Sequence, residues 1–184
     1  MKYKQYRQYL EGHLSKNRYE HTLRVYDTAL ELASLYNADR EIVEQAALLH
    51  DICKCEPDNV LIHKIKQYNI DESLLTFNKE LWHGPVGAHF VQDVFQITDE
   101  TIYNCIYYHT TGREKMTVEE LVIFVADYIE PGRNFPGVEE VRELAKVDLT
   151  KAAFQALKNT LIFLISKNAT LHPNTILAYN DLAK

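Results

Sequence analysis

The sequence predicts an all-α protein, a helical bundle, on three observations. Apolar residues recur at three- and four-residue spacing in segment after segment. Asp and Thr residues stand just ahead of several such segments, where a side-chain oxygen can accept the open N–H groups of a first turn. Few segments alternate apolar and polar residues, and no Asn-Gly or Asp-Gly pair offers a tight hairpin.

Taken in chain order, the spacing predicts a helix over 17–37. Asp39 caps the next, in which Ile42, Val43, Ala46, Ala47 and Leu49 share one side and His50 extends the inward stripe from Ala46. Helices follow over 58–69 and 84–96. Thr98 is the expected cap for a helix carrying Ile102, Ile106 and His109, which Gly112 ends. Thr117 and Glu120 form a capping box that opens Val118 to Ile129, and Pro131-Gly132 stops that helix. Segments 138–146, 149–168 and 173–182 complete the set. No repeat, low-complexity tract or Pro/Gly/Ser-rich linker divides the chain, so 1–184 is expected to be a single domain whose C-terminal helices, after the Pro136-Gly137 turn, could form a cover.

Length and composition suit a globular domain, with 184 residues and 46% hydrophobic content. A formal net charge of −6 disfavours nucleic-acid or anionic-membrane binding, which relies on many Lys and Arg contacts to phosphate. An anionic substrate would then need a local positive site. The opening Met1-Lys2-Tyr3-Lys4-Gln5-Tyr6-Arg7 lacks an apolar run after its charges, and the greasiest stretches, 121–126 and 161–165, are too short to span a bilayer. A cytoplasmic location with no membrane partner is expected. Three cysteines make no disulfide framework, and Cys53 and Cys55, spaced as C-x-C, are read as reduced thiols rather than a zinc site.

The chemistry gathers around His50-Asp51, two adjacent side chains of metal-ligand type at the end of an apolar helix. His21 lies upstream, and His83, His109 and Asp127 lie downstream. One helical histidine would not justify a site. What singles the set out is the family that it resembles in order and in its flanks Arg18-Tyr19-Glu20-His21-Thr22, Leu81-Trp82-His83-Gly84-Pro85, Tyr108-His109-Thr110 and Ala126-Asp127-Tyr128-Ile129-Glu130-Pro131. Neutral imidazoles suit iron, zinc and manganese, whereas calcium and magnesium sites are dominated by oxygen. Asp51, with two carboxylate oxygens, can bridge two cations.

In this order and spacing, over nearly the whole chain, the sequence resembles the HD-domain metal-dependent phosphohydrolases and, among them, the YqeK family of symmetrical bis(5'-nucleosyl)-tetraphosphatases. The resemblance implies an HD-domain helical bundle with two transition-metal ions, iron first, with manganese or zinc also compatible. It implies that His21, His50, Asp51 and Asp127 hold one ion and that Asp51, His83 and His109 help to hold the second. It further implies a dinucleoside polyphosphate substrate, cut in the middle to ADP by a metal-activated hydroxide.

Around the metals, Asp51, Lys54 and Arg133 are the expected catalytic residues. Lys54 stands one turn beyond the pair, and Arg133 follows the Asp127 helix with a fork suited to phosphate. Thr110 and Arg113 join Lys54 and Arg133 as candidate phosphate or ribose contacts. Arg18 could pair with a carboxylate, bind phosphate or lie on the helix surface. Trp82, Tyr128 and Phe135 could stack on a base or pack in the core, and His13, His63, His89 and His172 fall outside the pattern. No phosphate loop, dinucleotide fingerprint or nucleophile elbow is present. Two other readings stay open: another HD-type nucleotide phosphohydrolase or phosphodiesterase, separated by its products, and a non-catalytic nucleotide-binding module, separated by absence of turnover. The choice between monomer and homodimer is also open.

Overall fold

The computed structural model describes Lys2–Lys184 and consists of ten α-helices with short 3-10 turns and no strand among those residues. In order they are α1 (Lys2–His13), α2 (Lys16–Tyr36), α3 (Arg40–Leu49), α4 (Asp58–Gln67), α5 (His83–Phe95), α6 (Glu100–Tyr108), α7 (Val118–Ile129), α8 (Val138–Ala145), α9 (Leu149–Ser166) and α10 (Pro173–Leu182). The all-α expectation is met. No described helix is long and apolar enough to cross a membrane.

Three elements differ from the sequence expectation. Helix α1 was not expected, because its inward stripe is carried partly by tyrosines. Tyr6, Leu10 and Leu14 are nonetheless buried at i, i+4 and i+8, and the Tyr6 hydroxyl donates to Gln45 Oε1 at 3.2 Å. Helix α6 is capped by Asp99 rather than Thr98. The Asp99 carboxylate accepts from the N–H groups of Thr101 and Ile102, two open donors that a single hydroxyl would satisfy less well. At α7 the box is half formed: Thr117 accepts from the Glu120 N–H, but the Glu120 carboxylate is taken by Arg113.

Helix α3 organises the interior. Asp39 caps it through the N–H groups of Glu41 and Ile42, and its two sides enter two different apolar clusters. Val43, Ala46 and Ala47 join residues of α2, α7 and α9, while Leu48 and Leu49 continue into Ile52, Leu61, Ile65, Val86 and Ile106. Helices α8 to α10 belong to the first cluster through Val141, Ala145, Leu149, Ala152 and Ala178, so they share a core with α2 and α7. The α3 helix therefore ends deep inside, where both clusters meet.

Helices α5 and α6 approach closely enough to require glycine. A Cβ on Gly84 would lie 3.0 Å from the Tyr107 carbonyl oxygen and 3.4 Å from His109 Cε1. That approach brings the start of α5 against the end of α6.

The packing of α1 gives a direct test. Leu10→Ala removes a fully buried side chain and should cost about 2–5 kcal/mol, measured by urea unfolding; a loss within error of zero would mean that α1 does not dock as described.

Candidate metal centre

Six side chains from five parts of the chain converge inside the bundle. His21 comes from the second turn of α2, His50 caps the C-terminus of α3, and Asp51 follows at once. His83 opens α5, His109 is the C-cap of α6, and Asp127 lies in the last turn of α7. All four histidines and Asp51 are buried, and Asp127 retains a partial opening.

The ring orientations follow from local hydrogen bonds. His50 Nδ1 lies 2.8 Å from the Ala47 carbonyl, and His109 Nδ1 lies 2.7 Å from the Ile106 carbonyl, each one turn back along its own helix. His21 Nδ1 lies 3.0 Å from Glu130 Oε1. A carbonyl or carboxylate can only accept, so Nδ1 carries the proton in these rings and Nε2 presents its lone pair inward. Helix geometry thus orients two of the imidazoles, and the Glu130 carboxylate orients the third.

Asp51 divides its two oxygens between two groups. Oδ2 lies 3.6 Å from His21 Nε2 and 3.4 Å from His50 Nε2, whereas Oδ1 lies 3.0 Å from His83 Nε2 and 3.6 Å from His109 Nε2. Asp127 Oδ1 stands 3.0 Å from His21 Nε2 on the first side. Ligand atoms of His21, His50 and Asp127 form one compact set, and those of His50, Asp51 and His109 form another. The Nε2 atoms of His21 and His50 are buried and make no hydrogen bond. Lone pairs turned toward carboxylate oxygens in a water-poor pocket are a fit for cations, and the nitrogen-rich donors suit transition metals.

Electrostatics prepare the two carboxylates and the His83 ring for the same state, while His50 is raised against its burial by Asp51 and Asp127. Burial by itself would raise the Asp51 carboxyl, but His50, His109 and His83 hold it well below the usual carboxylate range. Asp127 is likewise held low against its burial by His21, His50 and Arg133. Burial pushes His83 down to about 4 despite the opposing pull of Asp51. Ionised carboxylates and a neutral imidazole are the protonation states that metal binding requires.

The surrounding cations have defined partners. Arg18 Nη1 donates to Asp51 Oδ2 at 2.8 Å, which makes it a partner of the carboxylate among the roles open to it from sequence. Arg133 donates to Asp127 Oδ1 at 2.6 Å and to the Asp127 carbonyl at 2.9 Å. Lys54 pairs with Glu80 Oε2 at 2.8 Å at the rim and adds a positive charge near His83. Thr110 Oγ1 is buried without a hydrogen-bond partner.

Arg113 is placed differently from its expected substrate contact. Its Nε and Nη2 grip the buried Glu120 at 2.7 and 2.6 Å, and Nη1 donates to the Glu114 carbonyl, so its fork is spent on the fold. Trp82 is buried, with its ring N–H on the Leu74 carbonyl, while Tyr128 and Phe135 meet edge to face and line an apolar recess beside α9. Cys53 and Cys105 are buried free thiols and Cys55 is an exposed one.

Sequence reasoning missed the role of Glu130, although it stands three residues beyond Asp127. Besides orienting His21, this buried carboxylate accepts from Arg24 Nε and the Gly132 N–H, both at 2.5 Å. Arg142 ties down the same loop by donating to the carbonyls of Ile129, Glu130 and Arg133. The only local signal was an acidic residue at the end of an apolar helix, and its side-chain partners His21 and Arg24 lie more than a hundred residues upstream.

Comparison with known proteins places this geometry. The HD domain family matches residues 18–132, the segment that carries all six side chains. The chain is 48% identical over 169 residues to a symmetrical bis(5'-nucleosyl)-tetraphosphatase of Bacillus subtilis, covering 92% of this chain and 91% of that protein. It is 43% identical over 175 residues to the protein of the same description from Halalkalibacterium halodurans, covering 95% and 94%. A crystal structure from Clostridium acetobutylicum, described as a predicted HD superfamily hydrolase involved in NAD metabolism, superposes with a TM-score of 0.93 at 42% identity over 98% of this chain and 96% of that one.

Two outcomes follow from the site. Glu130→Ala should weaken metal affinity by roughly 10–100-fold, the usual consequence of removing a ligand's orienting partner, with helix content retained; unchanged affinity in a metal titration would sever Glu130 from the centre. Arg113→Ala leaves the buried Glu120 unpaired and should destabilise the fold by about 3–5 kcal/mol in urea unfolding. A raised KM at full stability would return Arg113 to substrate binding.

Proposed function

The chain belongs to the HD-domain family and within it to the symmetrical bis(5'-nucleosyl)-tetraphosphatases, and from that membership we propose the division of labour by which it hydrolyses diadenosine tetraphosphate to two ADP. The observation that carries the reading is the Asp51 carboxylate, whose two oxygens face two separate histidine groups. A bridging position of this kind supports a two-ion centre. When bound, two transition-metal ions would supply an activated water and a clamp on a phosphoryl oxygen. His21, His50, Asp51 and Asp127 would hold one and Asp51, His83 and His109 the other, with iron as the native metal and manganese or zinc compatible with the same donors.

The chain's own residues do the remaining work. Lys54 exchanges Glu80 for a substrate phosphate, an exchange favoured because Glu80 is largely exposed and can return to water. Arg133, fixed through its Nε and Nη2, offers its remaining edge to a second phosphate. Two cations on either side of the reacting phosphorus set the register of the tetraphosphate, and a slip by one phosphate would misalign the attacking oxygen and the leaving group. Water oxygen forms one new bond to a central phosphorus, the bridging P–O bond opposite it breaks, the departing ADP takes the electron pair, and the proton lost by the water passes to solvent or to that ADP. Lys54 and Arg133 stabilise the charge that develops there.

The whole of 1–184 works as one domain in this reading, and the free, mostly buried thiols suit a reducing cytoplasm. The experiment is product analysis with the metal-loaded protein. Diadenosine tetraphosphate should give ADP alone, and in oxygen-18 water the heavy atom should enter one ADP of each pair, read by chromatography and mass spectrometry. AMP and ATP in equal amounts would overturn the central cut, and preferential phosphate release from mononucleotides would move the protein to another HD-type activity.

A further inference from the structure

Beside the second-ion half of the centre lies a cleft of about 440 Å³ that the metals do not use, within the size range of small-molecule sites. The chain itself fixes its position. Two of its wall residues, Pro85 and Thr110, are two positions from His83 and one position from His109, which keeps them within roughly 8 Å and 4 Å along the chain. Tyr107, a third wall residue, is pressed against Gly84 between those two histidines.

The lining has the chemistry of a nucleobase site. Phe77 and His172 meet at 4.7 Å between ring centroids with their planes 59° apart, forming an aromatic corner from two distant segments. Both rings are half-buried and both line the cleft. Thr110 brings its unpaired, buried hydroxyl to the same space. Asp71, whose Oδ1 already accepts from the Ser73 N–H, offers a carboxylate to a base amino or imino donor.

We propose that this cleft is the subsite for one purine nucleoside of the substrate, with the base seated in the corner of Phe77 and His172 in contact with both rings, and Thr110 bonding its polar edge or ribose. The proposal rests on the dinucleoside tetraphosphatase reading and adds to it the direction in which the substrate lies. One nucleoside occupies the cleft on the His83 and His109 side, and the polyphosphate runs across the ions toward Arg133. His172, which falls outside the ligand pattern in sequence, becomes a specificity residue.

The test compares Phe77→Ala and His172→Asn with the parent. Asparagine is itself a good N-cap, so the second change removes the ring while keeping the start of α10. Each variant should raise KM for diadenosine tetraphosphate by roughly 5- to 100-fold, the scale of one lost base–aromatic stack, with kcat and bound metal little changed. Affinity for ADP, measured by calorimetry on the metal-loaded protein, should fall in parallel. Unchanged KM and ADP affinity in His172→Asn and in a folded Phe77→Ala would overturn the subsite; if Phe77→Ala fails to fold, His172→Asn decides alone. The two readings fail separately. A parent protein that binds ADP through these residues yet leaves diadenosine tetraphosphate intact would refute the activity and support the cleft.

Discussion

The structure depends on one buried carboxylate. Asp51 sits near the junction of two apolar clusters, where an isolated ion would cost several kcal/mol in lost hydration even after relaxation. Its compensation comes from four imidazoles and the Arg18 guanidinium, delivered by α2, the end of α3, the start of α5 and the end of α6. Each of those elements must therefore reach the same few ångströms. The close approach at Gly84 and the run of small and branched residues on α3 are the steric conditions that allow it.

Helix ends do most of the positioning. His50 and His109 both occupy C-caps, and each turns its Nδ1 back to a carbonyl of its own last turn. The interaction satisfies a carbonyl that the helix leaves open and at the same time aims Nε2 at the centre. His21 lies inside a long helix and has no spare carbonyl, so its orientation is supplied from outside by Glu130. That requirement explains why the loop after α7 is held so firmly by Arg24 and Arg142.

Charge is arranged by locality within an acidic chain. Arg18, Arg133 and Lys54 all lie around the centre, each paired with a carboxylate. A tetraphosphate can replace some of those carboxylates as partner, so binding need not create unpaired charge. The cleft beside His83 and His109 is lined differently, by the aromatic pair of Phe77 and His172 with Asp71 as its carboxylate.

The amino-acid sequence determined the helical class and most helix boundaries, because apolar period, caps and stops are properties of neighbouring residues. It also singled out six side chains as an ordered set, since their types and flanks are visible without coordinates, and the fold brings those six together. Helix α1 was hidden because tyrosines carry much of its buried stripe, and the cap at Asp99 was hidden behind an equally plausible Thr98. Only the tertiary structure decided which Asp51 oxygen faces which histidines, that Glu130 holds His21 across a hundred residues, that Arg113 serves Glu120, and that Phe77 meets His172. These are contacts between segments remote in sequence, and their geometry is set by how whole helices pack rather than by any local pattern that the chain displays.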